Sequence, residues 1–196
     1  MLVLRSIGAE LVTVSAPASD HLEEPGPAGR CSSDSHACPC GFFGDSVRQC
    51  TCSDAAIVRY QARISGPLLD RIDMFVDVPR VEYEKLTGES VAEPSESVRQ
   101  RVEGASQRQQ QRFRDSRFVR NAEMGPLEVR EYCQRYLADG ANHLLRMAMT
   151  QLSLSARSFH RVLKVARTIA DLSGSEGIEA SHVAEALQYR NRGRSF

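Results

Sequence analysis

Four cysteines stand in two tight pairs, Cys38-Pro39-Cys40 and Cys50-Thr51-Cys52, with nine residues between the pairs. Two thiolates one residue apart can address a single ion when a proline or a turn bends the backbone. Gly41 and Gly44 give the intervening chain the freedom to bring the second pair round. Four soft thiolates favour tetrahedral Zn²⁺, and a site closed by four protein ligands is structural rather than catalytic. The same residues also read as four reduced thiols in a loop. Cys31 and His36 are substitute ligands, although their flanks read as disorder. Cys133, beside Tyr132 and Tyr136, reads as a small core residue.

A second chemical feature is Arg71, in the run Ile64-Ser65-Gly66-Pro67-Leu68-Leu69-Asp70-Arg71-Ile72-Asp73. The Gly-Pro break opens a short apolar turn, and Met74-Phe75-Val76-Asp77-Val78 follows as a β-type run. One arginine is thereby placed between a helix and a strand. A guanidinium there can be aimed at an anion across a subunit boundary, because its planar fork matches phosphate oxygens and it keeps its charge. The alternative is a structural arginine paired with Asp70 or Asp73.

The elements that must position these groups follow from pattern and punctuation. Residues 1–37 combine an apolar start, Met1 to Val14, with a Ser/Pro/Gly-rich stretch that reads as loop or disorder, Leu11–Val14 being a candidate strand. Ser53 is a helix cap for a helix from Asp54 to about Ile64. Leu68–Arg71 form a turn, and Ile72–Val78 a strand ended by Pro79. After a polar connector, Arg80–Glu93, a long charged helix spans about Glu96 to Asp115. Its thin apolar stripe of Val98, Val102, Ala105 and Phe113 predicts weak packing on one side. Four amphipathic helices follow: about Gly125–Tyr136; Gly140–Gln151 capped by Asp139; Ala156–Leu172 capped by Ser155 and ended by Gly174; and His182 to about Arg190 capped by Ser181. Their inward positions are Leu144, Leu145 and Ala148, then Val162, Val165, Ala166, Ile169 and Leu172, then Val183, Ala186 and Leu187. Such helices can bury a core of their own.

Composition narrows the function classes. The chain has 196 residues with 25 basic and 25 acidic, so no global field draws it to nucleic acid or to a membrane surface. No apolar run approaches the roughly 18 residues needed to cross a bilayer. The start lacks the pattern of a secretory signal, so a cytoplasmic setting with reduced cysteines is expected. Charge is nevertheless uneven, with seven arginines against two acids between Arg99 and Arg120. Arg101, Arg108 and Arg112 (with Arg117) could follow a phosphate backbone from that helix, although such a face is more often merely solvated.

Taken in order, Cys38-Pro39-Cys40-Gly41, Gly44-Asp45, Cys50, Cys52, Tyr60, Ile64–Asp73, Asn121-Ala122, Leu154-Ser155-Ala156-Arg157, Ala166–Leu172 and Glu185–Arg190 resemble a known arrangement. It is that of the C-terminal part of the YifB/ComM proteins, the magnesium-chelatase-like branch of AAA+ ATPases. The resemblance covers about residues 38–192. It implies a mostly α chain, in which the C-terminal remnant of an AAA+ α/β core, with one or two strands, precedes a long helix and a four-helix lid bundle. The corresponding divisions are a non-matching segment 1–37, the core remnant 38–80, the connector and basic helix 81–117, and the lid 118–196.

The resemblance also assigns roles. Arg71 corresponds to the arginine finger, acting in trans on the γ-phosphate held by a neighbouring subunit, and Arg157 to the sensor-2 arginine of the lid. ATP with Mg²⁺ is the implied cofactor. The implied partners are full-length AAA+ subunits in a homo-hexameric ring, and DNA is the implied substrate of competence-type members.

The sequence departs from the family in three places. It contains no G-x-x-x-x-G-K-[ST] phosphate loop and no apolar strand ending in paired acids for Mg²⁺. His36-Ala37 stand where the family carries Asn-Pro, whose Asn is sensor 1. The expectation is a truncated or out-of-register product that does not hydrolyse ATP alone. Two other classes remain open: a zinc-stabilised nucleic-acid-binding module, and a regulatory subunit that lends Arg71 to full-length rings.

Overall fold

The computed structural model describes residues 2–7, 30–45, 47–63, 65, 69, 72–77 and 93–190. The protein is mostly helical, as the family resemblance implies, and divides into two compact units meeting in sequence at Ser90 and Val91.

In the first unit, strand β1 (Leu2–Ile7) is the middle of a three-stranded antiparallel sheet. Its neighbours are β2 (Arg30–Ser35) and β3 (Met74–Asp77). Leu4 stands opposite Ser33 on one side and Phe75 on the other. Strand β1 lies in the apolar start and β2 at the end of the 1–37 segment, and the two pair along their whole length. The reason is non-local. A Ser-rich run such as Arg30–Ser35 has little strand preference of its own, and what it gains comes from the partner strand. Ile72 and Phe75 are buried, with Leu69 packed against them.

Helix α1 (Asp54–Gln61) starts at the expected cap, where the Ser53 hydroxyl accepts from the Ala56 N–H. It ends three residues before Ile64. The candidate strand Leu11–Val14, the Gly66-Pro67 break, Asp70, Arg71 and most of the polar connector lie outside the described residues.

The second unit is built on helix α5 (Ala156–Ser173), which is packed by α2 (Ser95–Arg112), α3 (Pro126–Tyr132) and α6 (Ala180–Gln188), with α4 (Asp139–Gln151) against α6. Val129, Cys133, Ala141, Val162, Leu163, Ala166, Ala170, Ile178, Val183 and Ala186 are completely buried. The many alanines among them let helix axes approach closely. Phe113, just past the end of α2, meets Tyr132 edge to face at 5.3 Å, which joins α2 to α3. The basic helix belongs to the same compact unit as the four helices that follow it. Its stripe is still thin: Ala105 and Phe113 are buried, while Val98 and Val102 are exposed.

Several helix limits differ from the pattern reading. The expected helix over Gly125–Tyr136 is two pieces, α3 and a 3₁₀ turn at Gln134–Tyr136. Helix α4 is capped by Ala138, with Asp139 already in its first turn, and α6 by Glu179 rather than Ser181. Leu172, expected inward, is 41% exposed. It lines a groove with Arg101 and Gly104 of α2.

Candidate functional site

The two cysteine pairs converge. The sulfurs of Cys38, Cys40 and Cys50 lie 3.4–3.7 Å apart, and all four Sγ atoms, Cys52 included, fall within 4.8 Å of one another. Disulfide sulfurs would sit near 2.03 Å, and none of these pairs does. A tetrahedral Zn²⁺ with bonds of about 2.3 Å separates its sulfurs by about 3.8 Å. The tetrad is therefore already close to the spacing of a closed Cys₄ site. Four nearby cysteines able to bind zinc are a property of this chain.

The backbone explains how the loop reaches this shape. Gly41 and Gly44 adopt φ of +81° and +79°, left-handed values that any side chain resists, and each reverses the chain. Gly41 N–H donates to the Cys38 carbonyl, and Asp45 N–H to that of Phe42. The Asp45 carboxylate then accepts from the backbone N–H groups of Val47 and Arg48 at 2.7 and 2.9 Å. The Arg48 guanidinium lies over the Phe42 ring at 4.2 Å. Cys38 is buried and the other three are half-buried. His36 is exposed, with its ring close to Gly41 and outside the tetrad.

Hydrogen bonding divides the protons unequally. The backbone N–H groups of Phe42 and Thr51, with the thiols of Cys38 and Cys52, pull Cys40 down to about 5. At Cys50 the Cys52 backbone N–H pulls downward. Burial and the neighbouring sulfurs of Cys40 and Cys38 outweigh it and push that thiol up to about 12. Cys52 is raised for similar reasons. Cys40 is thus the sulfur biased towards ionising, while Cys50 and Cys52 are biased the other way. A divalent ion supplies the charge that lets all four ionise.

Arg71 lies outside the described residues. Leu69 N–H donates to the Ser65 carbonyl and Ile72 N–H to that of Leu69, and Ile72 and Asp73, just before β3, are buried. Arg157 is the second residue of α5 and is exposed. The Ser155 hydroxyl caps that helix by accepting from Ser158 N–H, and the Ser158 hydroxyl accepts from Arg190 at 2.8 Å. Among the described residues the Arg157 side chain has no ion pair or hydrogen bond. A cation in a helix first turn opposes the macrodipole, so its natural counterpart there is an added anion.

The three arginines read as a phosphate-following face are placed differently from one another. Arg101 is exposed and pairs with Glu93 at 2.6 Å. Arg108 donates to the main-chain carbonyl of Asp171 at 3.0 Å. Arg112 is turned inward, where it holds both carboxylate oxygens of Asp171 and donates to Asn121 at 2.9 Å.

Arg112 belongs to a buried cluster that pattern reading missed. Asp171, fully buried, also receives Arg167 through Nε and Nη2 at 3.2 and 3.0 Å, and Asn121 at 2.8 Å. Arg167 also donates to the carbonyls of Ser175 and Glu176, both at 2.7 Å. Burial lowers the Arg167 pKa against the opposing pull of Asp171. Three arginines therefore gather at the negative end of α5. The available signal was Arg167 and Asp171 at i, i+4 within an otherwise apolar run.

Comparison with known proteins gives the same ordering of parts. The profile described as magnesium chelatase, subunit ChlI, matches residues 33–86, and that described as magnesium chelatase, subunit ChlI C-terminal, matches residues 92–190. Competence protein ComM of Haemophilus influenzae is 40% identical over 140 residues, which are 70% of this chain and 26% of that protein. Uncharacterized protein YifB of Escherichia coli is 36% identical over 153 residues, 78% of this chain and 29% of the relative. The chain thus spans less than a third of the length of these relatives. Cysteine tetrad, strand-entry turn and helical unit all fall within the matched regions, and this chain belongs to the magnesium-chelatase-like family, in its YifB/ComM branch.

Proposed function

We propose that this chain serves as the finger and lid of a magnesium-chelatase-like AAA+ ATPase. Arg71 would reach in trans to the γ-phosphate held by a neighbouring subunit, and Arg157 would contact nucleotide from the lid of its own. Phosphoryl transfer asks for positive charge on the equatorial oxygens and little covalent chemistry from protein, so two placed guanidiniums are a meaningful share of the machinery. ATP with Mg²⁺ supplies the transferred group and charge neutralisation. This sequence offers no phosphate loop or acid pair to hold them, so the partners would be full-length subunits of a hexameric ring, with DNA as the motor's substrate.

The observation that carries this reading is Arg157, exposed at a capped helix N-terminus and unpaired among the described residues. The stand-alone nucleic-acid reading is weakened by Arg112, whose donors are engaged within the bundle. The cysteine tetrad is read here as a structural zinc site, supported by the sulfur spacing.

The direct test mixes this chain with a full-length relative whose own finger arginine is replaced by alanine, and measures ATP turnover. The expected result is recovered turnover that Arg71→Ala in this chain abolishes. Failure of the two chains to co-assemble, or recovery that does not depend on Arg71, overturns the proposal.

A further inference from the structure

We infer that metal binding at the cysteine tetrad and folding of helix α1 are one event, with Gln61 as the link between them. The inference rests on the zinc reading above and adds what that metal controls.

Helix α1 is short and has little to hold it. Eight residues fall well below the roughly 12–15 at which isolated helices become even marginal in water. It buries only Ile57 and Gln61, while Val58 on its outer side is 55% exposed. Among the described residues its two side-chain attachments are local and specific. At the N-terminus the cap is Ser53, the residue directly after Cys52. At the C-terminus the side-chain amide of Gln61 donates to the carbonyl of Ala37, the residue directly before Cys38, at 2.8 Å.

The first and last cysteines of the tetrad are therefore each one residue from an anchor of the helix. Fixing the four sulfurs around one ion fixes the distance between Ala37 and Ser53, and that distance is what α1 spans. Without the ion, the described contacts that hold the loop between the anchors are those at two left-handed glycines, a few turn hydrogen bonds, the Asp45 carboxylate and the Arg48 guanidinium over Phe42. Because the unfolded chain has no preformed tetrad, the free energy of binding becomes free energy of local folding. The arrangement sits immediately upstream in sequence of the segment carrying Arg71.

Hydrogen exchange on the full chain tests this, read peptide by peptide with added Zn²⁺ and after chelation. Zinc stoichiometry is measured on the same samples. The expected result is one zinc per chain, with amides of residues 57–61 exchanging at least tenfold faster after chelation. Residues 126–188 serve as an unchanged internal reference.

By reciprocity, Gln61→Ala should weaken zinc binding about fivefold, the scale of one lost hydrogen bond. One bound zinc with α1 exchange indifferent to its removal overturns the coupling and leaves the metal site standing. Unchanged zinc affinity in Gln61→Ala likewise overturns the link. Absence of stoichiometric zinc overturns the metal reading itself, and the coupling with it.

Discussion

Arg112 and Asp171, 59 positions apart in sequence, meet side chain to side chain through both terminal guanidinium nitrogens and both carboxylate oxygens. Asp171 is completely shielded and Arg112 keeps 16% of its side-chain exposure. The pair ties the end of the basic helix α2 to the C-terminal turn of α5, where Arg108 and Arg167 also converge. One carboxylate therefore balances two inward guanidiniums, helped by main-chain carbonyls.

This asymmetry predicts unequal losses. Asp171→Ala leaves Arg167 buried without its counter-charge, and the expected cost is about 3–5 kcal/mol. Arg112→Met leaves Asp171 still bonded to Arg167 and Asn121, so the expected cost is about 1–3 kcal/mol. Urea unfolding of the two variants decides the point. Equal losses, or a larger one for Arg112→Met, would show that Asp171 is not the hub.

Cys133 predicts an alkaline weakness. Burial pushes its thiol up to about 12, from an ordinary value of 9.0, with Arg167 and Arg112 only partly offsetting it. The sign follows from proton counts. Between those two pH values the folded chain keeps the proton while the unfolded chain releases it, so stability is full below about pH 9 and falls as pH rises. The slope approaches about 1.4 kcal/mol per pH unit. Cys133→Ala should lose some stability at pH 7 but show a flatter decline above pH 9. Parallel curves for variant and parent would contradict the buried-thiol account.

Which parts were readable from sequence follows from how local their causes are. Ser53, Ser155 and Gly174 act within one turn of their own helix, and all three do what their residue types announce. Asp139 and Ser181 are equally good cap residues, yet long-range ties take the role from them. Ala138 N–H donates to Ile178, whose own N–H reaches Tyr136, so α4 starts one residue early. His182 Nδ1 accepts from Glu179 N–H, and that places the α6 cap at Glu179. Strands β1 and β2 draw on partners distant in sequence, which composition does not register. The cysteine tetrad was legible because its ligands come as two tight pairs close together in the chain. Arg112 was not, because nothing near it in sequence announces Asp171.

The tetrad makes a prediction about access to reagents. With zinc bound, iodoacetamide should leave Cys38, Cys40, Cys50 and Cys52 unmodified, since each sulfur's lone pair is engaged by the ion. Chelation should expose the half-buried Cys40, Cys50 and Cys52 at least tenfold faster, with buried Cys38 following more slowly. Cys133 should stay unlabelled in both states, being fully enclosed in the bundle. Peptide mapping after timed labelling separates the sites. Rapid labelling of the tetrad in zinc-saturated protein would argue against a closed four-sulfur site.

Arg157 separates a nucleotide-facing residue from an ordinary surface one. Its side chain is exposed and contributes no pairing among the described residues, so Arg157→Ala should alter stability by less than about 0.5 kcal/mol. The sign should favour the variant slightly, because a cation leaves the positive end of α5. In rings assembled with full-length subunits, the same substitution should cut ATP turnover at nucleotide-binding sites served by this lid by about tenfold, the equivalent of about 1.4 kcal/mol. Arg157→Lys should recover only part of that, since an ammonium cannot reproduce the planar fork on phosphate oxygens. Thermal unfolding and turnover on the same three proteins check both halves. A variant that is clearly destabilised yet turns over ATP normally in the ring would place Arg157 in the architecture of the lid and leave the nucleotide without it.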